Sequence, residues 1–194
     1  TQFGKIPALG PRTGFAFASC DDLATLAPLF ANGTTRVNEA PILETVSWPD
    51  EAATQGFANR LARGLLHHGL DGCITLEGDL GAGKTTWVRH LLRALGVTGR
   101  VKSPTYAVVE PYEVATGRIW HFDFYRFNDP LEWEDAGFRD IFASPGLKLC
   151  EWPAKAQGLL PVIDLALHIA VGDDGQRQVQ LDGRTARARQ WLAA

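Results

Sequence analysis

The 194-residue chain contains no methionine, five lysines against 14 arginines, three tyrosines and three cysteines. Each scarcity narrows the options. Residue 1 is Thr, so the lack of methionine implies a natural start that is missing or processed. Cys20, Cys73 and Cys150 are odd in number and far apart, which gives neither a disulfide framework nor a zinc pattern. Cys73 and Cys150 border apolar runs and read as buried free thiols; a reducing, cytoplasmic compartment fits them. No apolar run approaches the ~20 residues of a membrane helix, so no membrane partner is expected. The N-terminus also lacks the basic start and apolar core of a secretory signal. A net charge of −3 and a pI near 5.9 argue against gripping DNA or RNA by bulk charge alone. With 21% charged and 45% hydrophobic residues, the chain has the composition of one globular α/β domain plus some extra chain.

That extra chain is residues 1–40. Pro7, Pro11, Pro28 and Pro41 punctuate it, and only Leu23, Leu26, Ala27 and Phe30 carry helical spacing. It reads as an N-terminal extension: a mobile tail, a docking arm or non-native sequence. The ordered domain is expected over 41–194. Ile42 to Val46 reads as a strand. Ser47-Trp48-Pro49-Asp50 reads as a helix start with Ser47 as cap and Pro49 in the first turn, followed by an apolar stripe of Ala53, Phe57, Leu61 and Leu65. His67 and His68 sit at that helix's end and read as exposed. Cys73 to Leu76 is a buried strand. Val88, Leu91, Leu92 and Leu95 mark the next helix, closed by Gly96. Tyr106–Val114 and Arg118–Tyr125 form a hairpin around Ala115-Thr116-Gly117. A helix starts at Asp129-Pro130. Leu147–Glu151 is a strand, Asp164–Val171 pairs with a strand through Val179 and Leu181, and Arg184–Leu192 is a terminal helix whose arginines read as a solvated face.

The chemistry concentrates in GDLGAGKTT, Gly78 to Thr86. Gly78 to Thr85 matches the phosphate-loop pattern in full, and the context matches too: a buried strand before, an amphipathic helix after. Such a loop turns backbone N–H groups around a phosphate, and the helix N-terminus adds partial positive charge. Lys84 would reach the β- and γ-phosphates, and the Thr85 hydroxyl would ligate magnesium. Two acids can complete a magnesium nucleotide site. Asp123 lies within the apolar strand His121-Phe122-Asp123-Phe124, where an unpaired carboxylate is costly; a metal shell or the Thr85 hydroxyl would satisfy it, and the alternative is an ion pair with Arg126. Glu151 stands at the exit of another strand, where open α/β sheets place their ligand crevice; the alternative is an exposed turn residue. Thr105, in Ser103-Pro104-Thr105-Tyr106, occupies the place of a γ-phosphate-sensing loop, or an ordinary Pro turn. No Asn-Lys-x-Asp element is present, so ATP is favoured over GTP.

Taken in order, GDLGAGKTT, VKSPTY (Val101–Tyr106), VEPY (Val109–Tyr112), HFDFYR (His121–Arg126), DPLE…G (Asp129–Gly137) and EWPAKA…LLP (Glu151–Pro161) resemble the TsaE family over about Ile42 to Val171. The resemblance implies a P-loop NTPase of the α/β class, with a mostly parallel sheet sandwiched by helices and an antiparallel hairpin. It implies an ATPase, slow alone, that supports synthesis of threonylcarbamoyladenosine, beside the anticodon of tRNA. It would bind a TsaB–TsaD pair and reset it by hydrolysis, meeting tRNA only indirectly. By the same resemblance Gly81, Ala82, Gly83, Lys84, Thr85 and Thr86 bind ATP. Thr85 and Glu151 hold magnesium, with Asp123 as the Walker B-type acid and metal-site residue. Lys84, Asp123 and Glu151 are the catalytic set. Thr105 belongs to a switch-like loop, and Trp152 borders and gates the site. The adenine pocket falls around Ser47 to Glu51. The competing reading is a P-loop small-molecule kinase, which would need an arginine-rich lid that the sequence does not show. A third is a nucleotide-gated binding module.

Overall fold

The computed structural model describes residues 42–128, 133 and 136–194. The extension over 1–40 and the helix start at Asp129-Pro130 lie outside the described residues. Alternating and fully apolar runs build a sheet of seven strands: β1 (Ile42–Trp48), β2 (Gly72–Glu77), β3 (Val109–Val114), β4 (Gly117–Asp123), β5 (Leu147–Glu151), β6 (Leu165–Val171) and β7 (Arg177–Gly183). Their order is β1-β7-β6-β2-β5-β4-β3. The four central strands β6, β2, β5 and β4 run parallel. The hairpin β3–β4 closes one side, and the antiparallel strands β7 and β1 extend the other.

The central strands are apolar on both faces because both are covered. On one face Ile74, Leu76, Ile119, Leu147, Leu149 and Leu167 meet α1 (Glu51–His68), α2 (Lys84–Ala94) and α4 (Ala186–Leu192). On the other face Phe122, Cys150 and Cys73 meet Phe124, Phe127, Trp133 and Phe138, the last from the short α3 (Phe138–Ala143). Cys73 and Cys150 are buried free thiols, as their sequence setting indicates. Val88, Leu91, Leu92 and Leu95 are all buried, and Trp87 joins them. In α1, Phe57, Leu61 and Leu65 face the core together with Thr54, Ala58, Ala62 and Gly64, while Ala53 is half-buried. Gly64 marks the closest approach of α1 to α4: a Cβ built there would lie 2.1 Å from the Trp191 carbonyl oxygen.

Several boundaries differ from the sequence reading. Ser47 is not a helix cap. Pairing of Ser47 with Gln178 and Trp48 with Arg177 draws both residues into β1, so Asp50 caps α1 instead, accepting from the Ala53 N–H at 2.7 Å. A cap of this kind contributes about 1 kcal/mol. The strand expected from Tyr106 starts only at Val109, since the Val108 N–H bonds back to the Pro104 carbonyl and folds 104–108 into a turn. β4 ends at Asp123 rather than Tyr125, because the Asp123 side chain accepts the Tyr125 N–H. Arg184 and Arg187 are exposed, as the sequence suggests; Arg187 also lies 3.4 Å from Asp164, while Thr185 caps α4.

Candidate functional site

β2 runs into the glycine loop and α2 leaves it. Gly78, Gly81 and Gly83 hold φ values of +141°, +83° and +108°, and at Gly78 a Cβ would also meet the Ile169 carbonyl oxygen at 2.3 Å. Only glycine serves such positions without strain. Lys84, the first residue of α2, is 4% exposed. Its Nζ donates to the Gly78 and Asp79 carbonyls at 2.6 and 2.8 Å. Burial lowers its pKa from the usual lysine range; Glu151, Asp123 and Asp79 partly oppose that fall. Trp152, in a left-handed conformation at φ +59°, lays its ring 3.8 Å from Nζ. The ring therefore roofs the cation instead of merely bordering the loop.

The two candidate acids reach the same crevice through sheet register. Asp123 pairs with Glu151 across β4 and β5, which puts both carboxylates on the α2 face at the carboxyl ends of the strands. Glu151 is 2% exposed. The Thr85 hydroxyl donates to it, 2.9 and 3.0 Å from its two oxygens. Asp123 is satisfied by the Ser103 hydroxyl, by Thr105 Oγ1 at 2.7 Å and by the Tyr125 N–H at 3.0 Å. Neither the Thr85 hydroxyl nor Arg126 is its partner: Thr85 turns to Glu151, and the guanidinium stacks on Tyr106 at 4.5 Å. Thr105 is thereby tied to Asp123, in a segment strained at Val108, whose φ is +64°. A β-branched residue held there stores about 1–3 kcal/mol.

A cavity of about 320 Å³ is lined by Gly81, Gly83, Lys84, Thr85, Thr86 and Thr105, and also by Asp123, Glu151 and Trp152. Ala82 lies next door, in a cavity of about 180 Å³ shared with Trp48, Glu51, Thr54 and Arg177. That neighbour includes part of the segment expected for adenine. Trp48 Nε1 is a buried donor without a partner there. Two residues of the site carried no role in the sequence reading. Ser103 belongs to the SPTY stretch, where a second hydroxyl two residues before Thr105 was the available signal. His121 stands two residues before Asp123, hence on the same face of β4. It is fully buried, and its Nε2 lies 2.8 Å from Glu151 Oε1. A carboxylate accepts, so Nε2 carries the hydrogen.

The donor set suits a hard cation such as magnesium: one hydroxyl and two carboxylates with room for phosphate oxygens. Among the described residues no cluster of three His, Cys, Asp or Glu side chains forms a self-sufficient metal cage. Magnesium sites typically draw one or two carboxylates from the protein and the rest from substrate and water.

The family model for Threonylcarbamoyl adenosine biosynthesis protein TsaE matches residues 48–179. The chain belongs to the TsaE family. A TsaE protein of Haemophilus influenzae, named as acting in tRNA threonylcarbamoyladenosine biosynthesis, is 42% identical over 148 residues, covering 75% of this chain and 93% of that one. The TsaE protein of Bacillus subtilis is 38% identical over 106 residues, covering 55% and 66%. The crystal structure of YdiB from Bacillus subtilis superposes with a TM-score of 0.62 at 24% identity, covering 80% of this chain and 95% of that one, which shows the shared fold. In this TsaE chain His121 positions Glu151. His121→Phe removes the donor while keeping a ring; for a site that hydrolyses ATP, turnover should fall roughly 10- to 100-fold, the usual effect of losing an outer-shell partner. His121→Gln keeps an N–H of similar reach and should recover part of the loss, while both variants melt within a few degrees of each other. Equal turnover in the two variants would remove the positioning role.

Proposed function

We propose that this chain is a magnesium-dependent ATPase that supports tRNA threonylcarbamoyladenosine synthesis, acting on a TsaB–TsaD pair rather than on tRNA itself. The observation that carries the nucleotide part is the convergence of Lys84, Thr85, Asp123 and Glu151 on one crevice at the carboxyl ends of β2, β4 and β5. Family membership supports the biosynthetic part.

The residues divide the work. The loop from Gly81 to Thr86 wraps the phosphates with backbone N–H groups. Lys84 places its cation where charge develops on the γ-phosphoryl group. Thr85 and Glu151 hold magnesium, with Asp123 completing its surroundings. That ion, when bound, neutralises charge on the phosphate oxygens. Glu151 orients the attacking water, held in place by His121 and Thr85. Trp152 and Tyr125, with ring centroids 5.0 Å apart, shield the mouth. The base lies in the cavity beside Trp48, whose free Nε1 can donate to a ring nitrogen. Among the described residues no arginine lines this crevice, Arg177 standing in the adjoining base cavity; hydrolysis is therefore slow without a partner to supply further charge stabilisation.

Phosphate release from magnesium ATP tests this, measured with the chain alone and then with an active TsaB–TsaD pair. The expected result is a low basal rate and clear stimulation by the pair. An unchanged rate with an otherwise active pair, or ADP formation that depends on an added metabolite, favours a small-molecule kinase instead.

A further inference from the structure

The amino ends of the parallel strands carry a second feature, at the far end of the sheet from the phosphate loop. Where β2, β5 and β6 begin, the surface opens into a cavity of about 630 Å³. Phe142, Pro161 and Val162 give it an apolar side, and Val162 is 74% exposed at the mouth. Asp164 and Arg187 also line it. So does Lys148, from β5, which is 3% exposed.

Lys148 is the unbalanced group. Its Nζ donates to the Ser144 carbonyl and lies 5.1 Å from the centre of the Trp120 ring. Among the described residues no carboxylate comes within ion-pair distance of it. The two acids of the cavity are committed elsewhere. Asp164 accepts from the Cys73 N–H at 2.9 Å and from Thr185 Oγ1 at 2.7 Å, and faces Arg187 at 3.4 Å. Asp71 accepts from the Gly146 N–H at 3.0 Å and stands 3.6 Å from Arg187. Burial depresses the Lys148 ammonium, with Asp71 and the two thiols pulling the other way and Arg187 adding to the fall. A buried cation is normally matched by an anion, because desolvation without compensation is expensive. Among the described residues no carboxylate pairs with it directly, and Lys148 lines an open cavity.

We propose that this cavity binds a small organic carboxylate with an apolar body, its carboxylate on Lys148 and its body against Phe142, Pro161 and Val162. Two cations and two acids line the cavity, but both acids face Arg187, which leaves Lys148 the one charge of the four without a partner at ion-pair distance. A singly charged carboxylate adds the least repulsion from Asp71 and Asp164, and a phosphate dianion would add more. The mixture of apolar wall and single polar anchor is that of a small-molecule site.

Benzoate, phenylacetate and isovalerate are suitable probes, with neutral benzamide as the isosteric control, read by thermal shift and calorimetry on the full chain. At least one carboxylate should raise the melting temperature where benzamide does not. Lys148→Met keeps the length and removes the charge. It should weaken that carboxylate roughly 10- to 100-fold, the worth of a hydrogen bond to a charged group, and leave the shift given by magnesium ATP intact. Without a probe, Lys148→Met should melt at or above the parent, since an unmatched buried charge has gone. Val162→Asp at the exposed mouth is the second variant and should also weaken the carboxylate. No shift with any of the three carboxylates, equal shifts with benzamide, or undiminished binding in Lys148→Met overturns the proposal.

Discussion

Lys84→Ala is expected to abolish measurable ATP turnover and to weaken nucleotide binding. Two effects add. Among the described residues the ammonium is the one cation lining the loop cavity, and removing a preorganised charge stabiliser from such a site costs on the order of 10²–10³-fold in rate. It also ties the loop to itself through the Gly78 and Asp79 carbonyls, so its loss loosens the backbone that cradles the phosphates. Folding should survive. The side chain is a buried charge whose pKa burial depresses, and removing such a charge does not open a large apolar void. Calorimetric titration with ATP, phosphate release and a melting curve separate the outcomes. Retained binding together with retained turnover would sink the phosphate-loop assignment.

Gly64→Ala should be the most damaging single-methyl change in α1. Helix propensity alone favours alanine over glycine by about 1 kcal/mol. The backbone of Trp191 decides otherwise: the new Cβ would lie 2.1 Å from its carbonyl oxygen and 2.8 Å from its Cα. Neither atom can rotate away, so α4 must shift as a unit and disturb Trp191, which is fully buried. Overpacking of this kind costs about 1–3 kcal/mol or more, equivalent to a fall of roughly 4–10 °C in Tm for a domain this size. Gly56 supplies the control within the same helix, with nothing within 4 Å of its built Cβ. Gly56→Ala should hold or raise Tm. If both variants melt alike, the α1–α4 approach is looser than described.

Much of the site was legible because its signals are local. The glycine loop is contiguous, and its strand and helix flank it directly. Asp123 and Glu151 were visible as acids at the ends of apolar strands, where burial without a role is costly. What stayed hidden depends on register. Nothing in HFDFYR says that His121 reaches Glu151 on the neighbouring strand; that follows only from the pairing of Asp123 with Glu151. The Thr85 hydroxyl was read as serving magnesium or Asp123, and its direct bond to Glu151, 66 residues away, follows only from the fold. The helix start at Ser47 failed for the same reason. Its capping signal was genuine by composition, but pairing with Gln178 outweighed it. Gly64 gave no hint either, because an interior helix glycine is ambiguous until the element packed on it is known.

The outer pair β1–β7 has a consequence for how the chain is made. β1 meets its described partner only when Arg177–Gly183 has been synthesised, since Ile42 pairs with Gly183 and Trp48 with Arg177. On a ribosome adding residues in order, the first strand of the domain emerges long before the strand that receives it. The loop that must close between them spans nearly the whole domain, the kind of non-local contact that slows folding. β2 can pair with β5, and β5 with β4, well before then. The half of the sheet that carries the glycine loop is therefore in a position to assemble during translation, while the edge that carries Trp48 to the cavity beside that loop joins later.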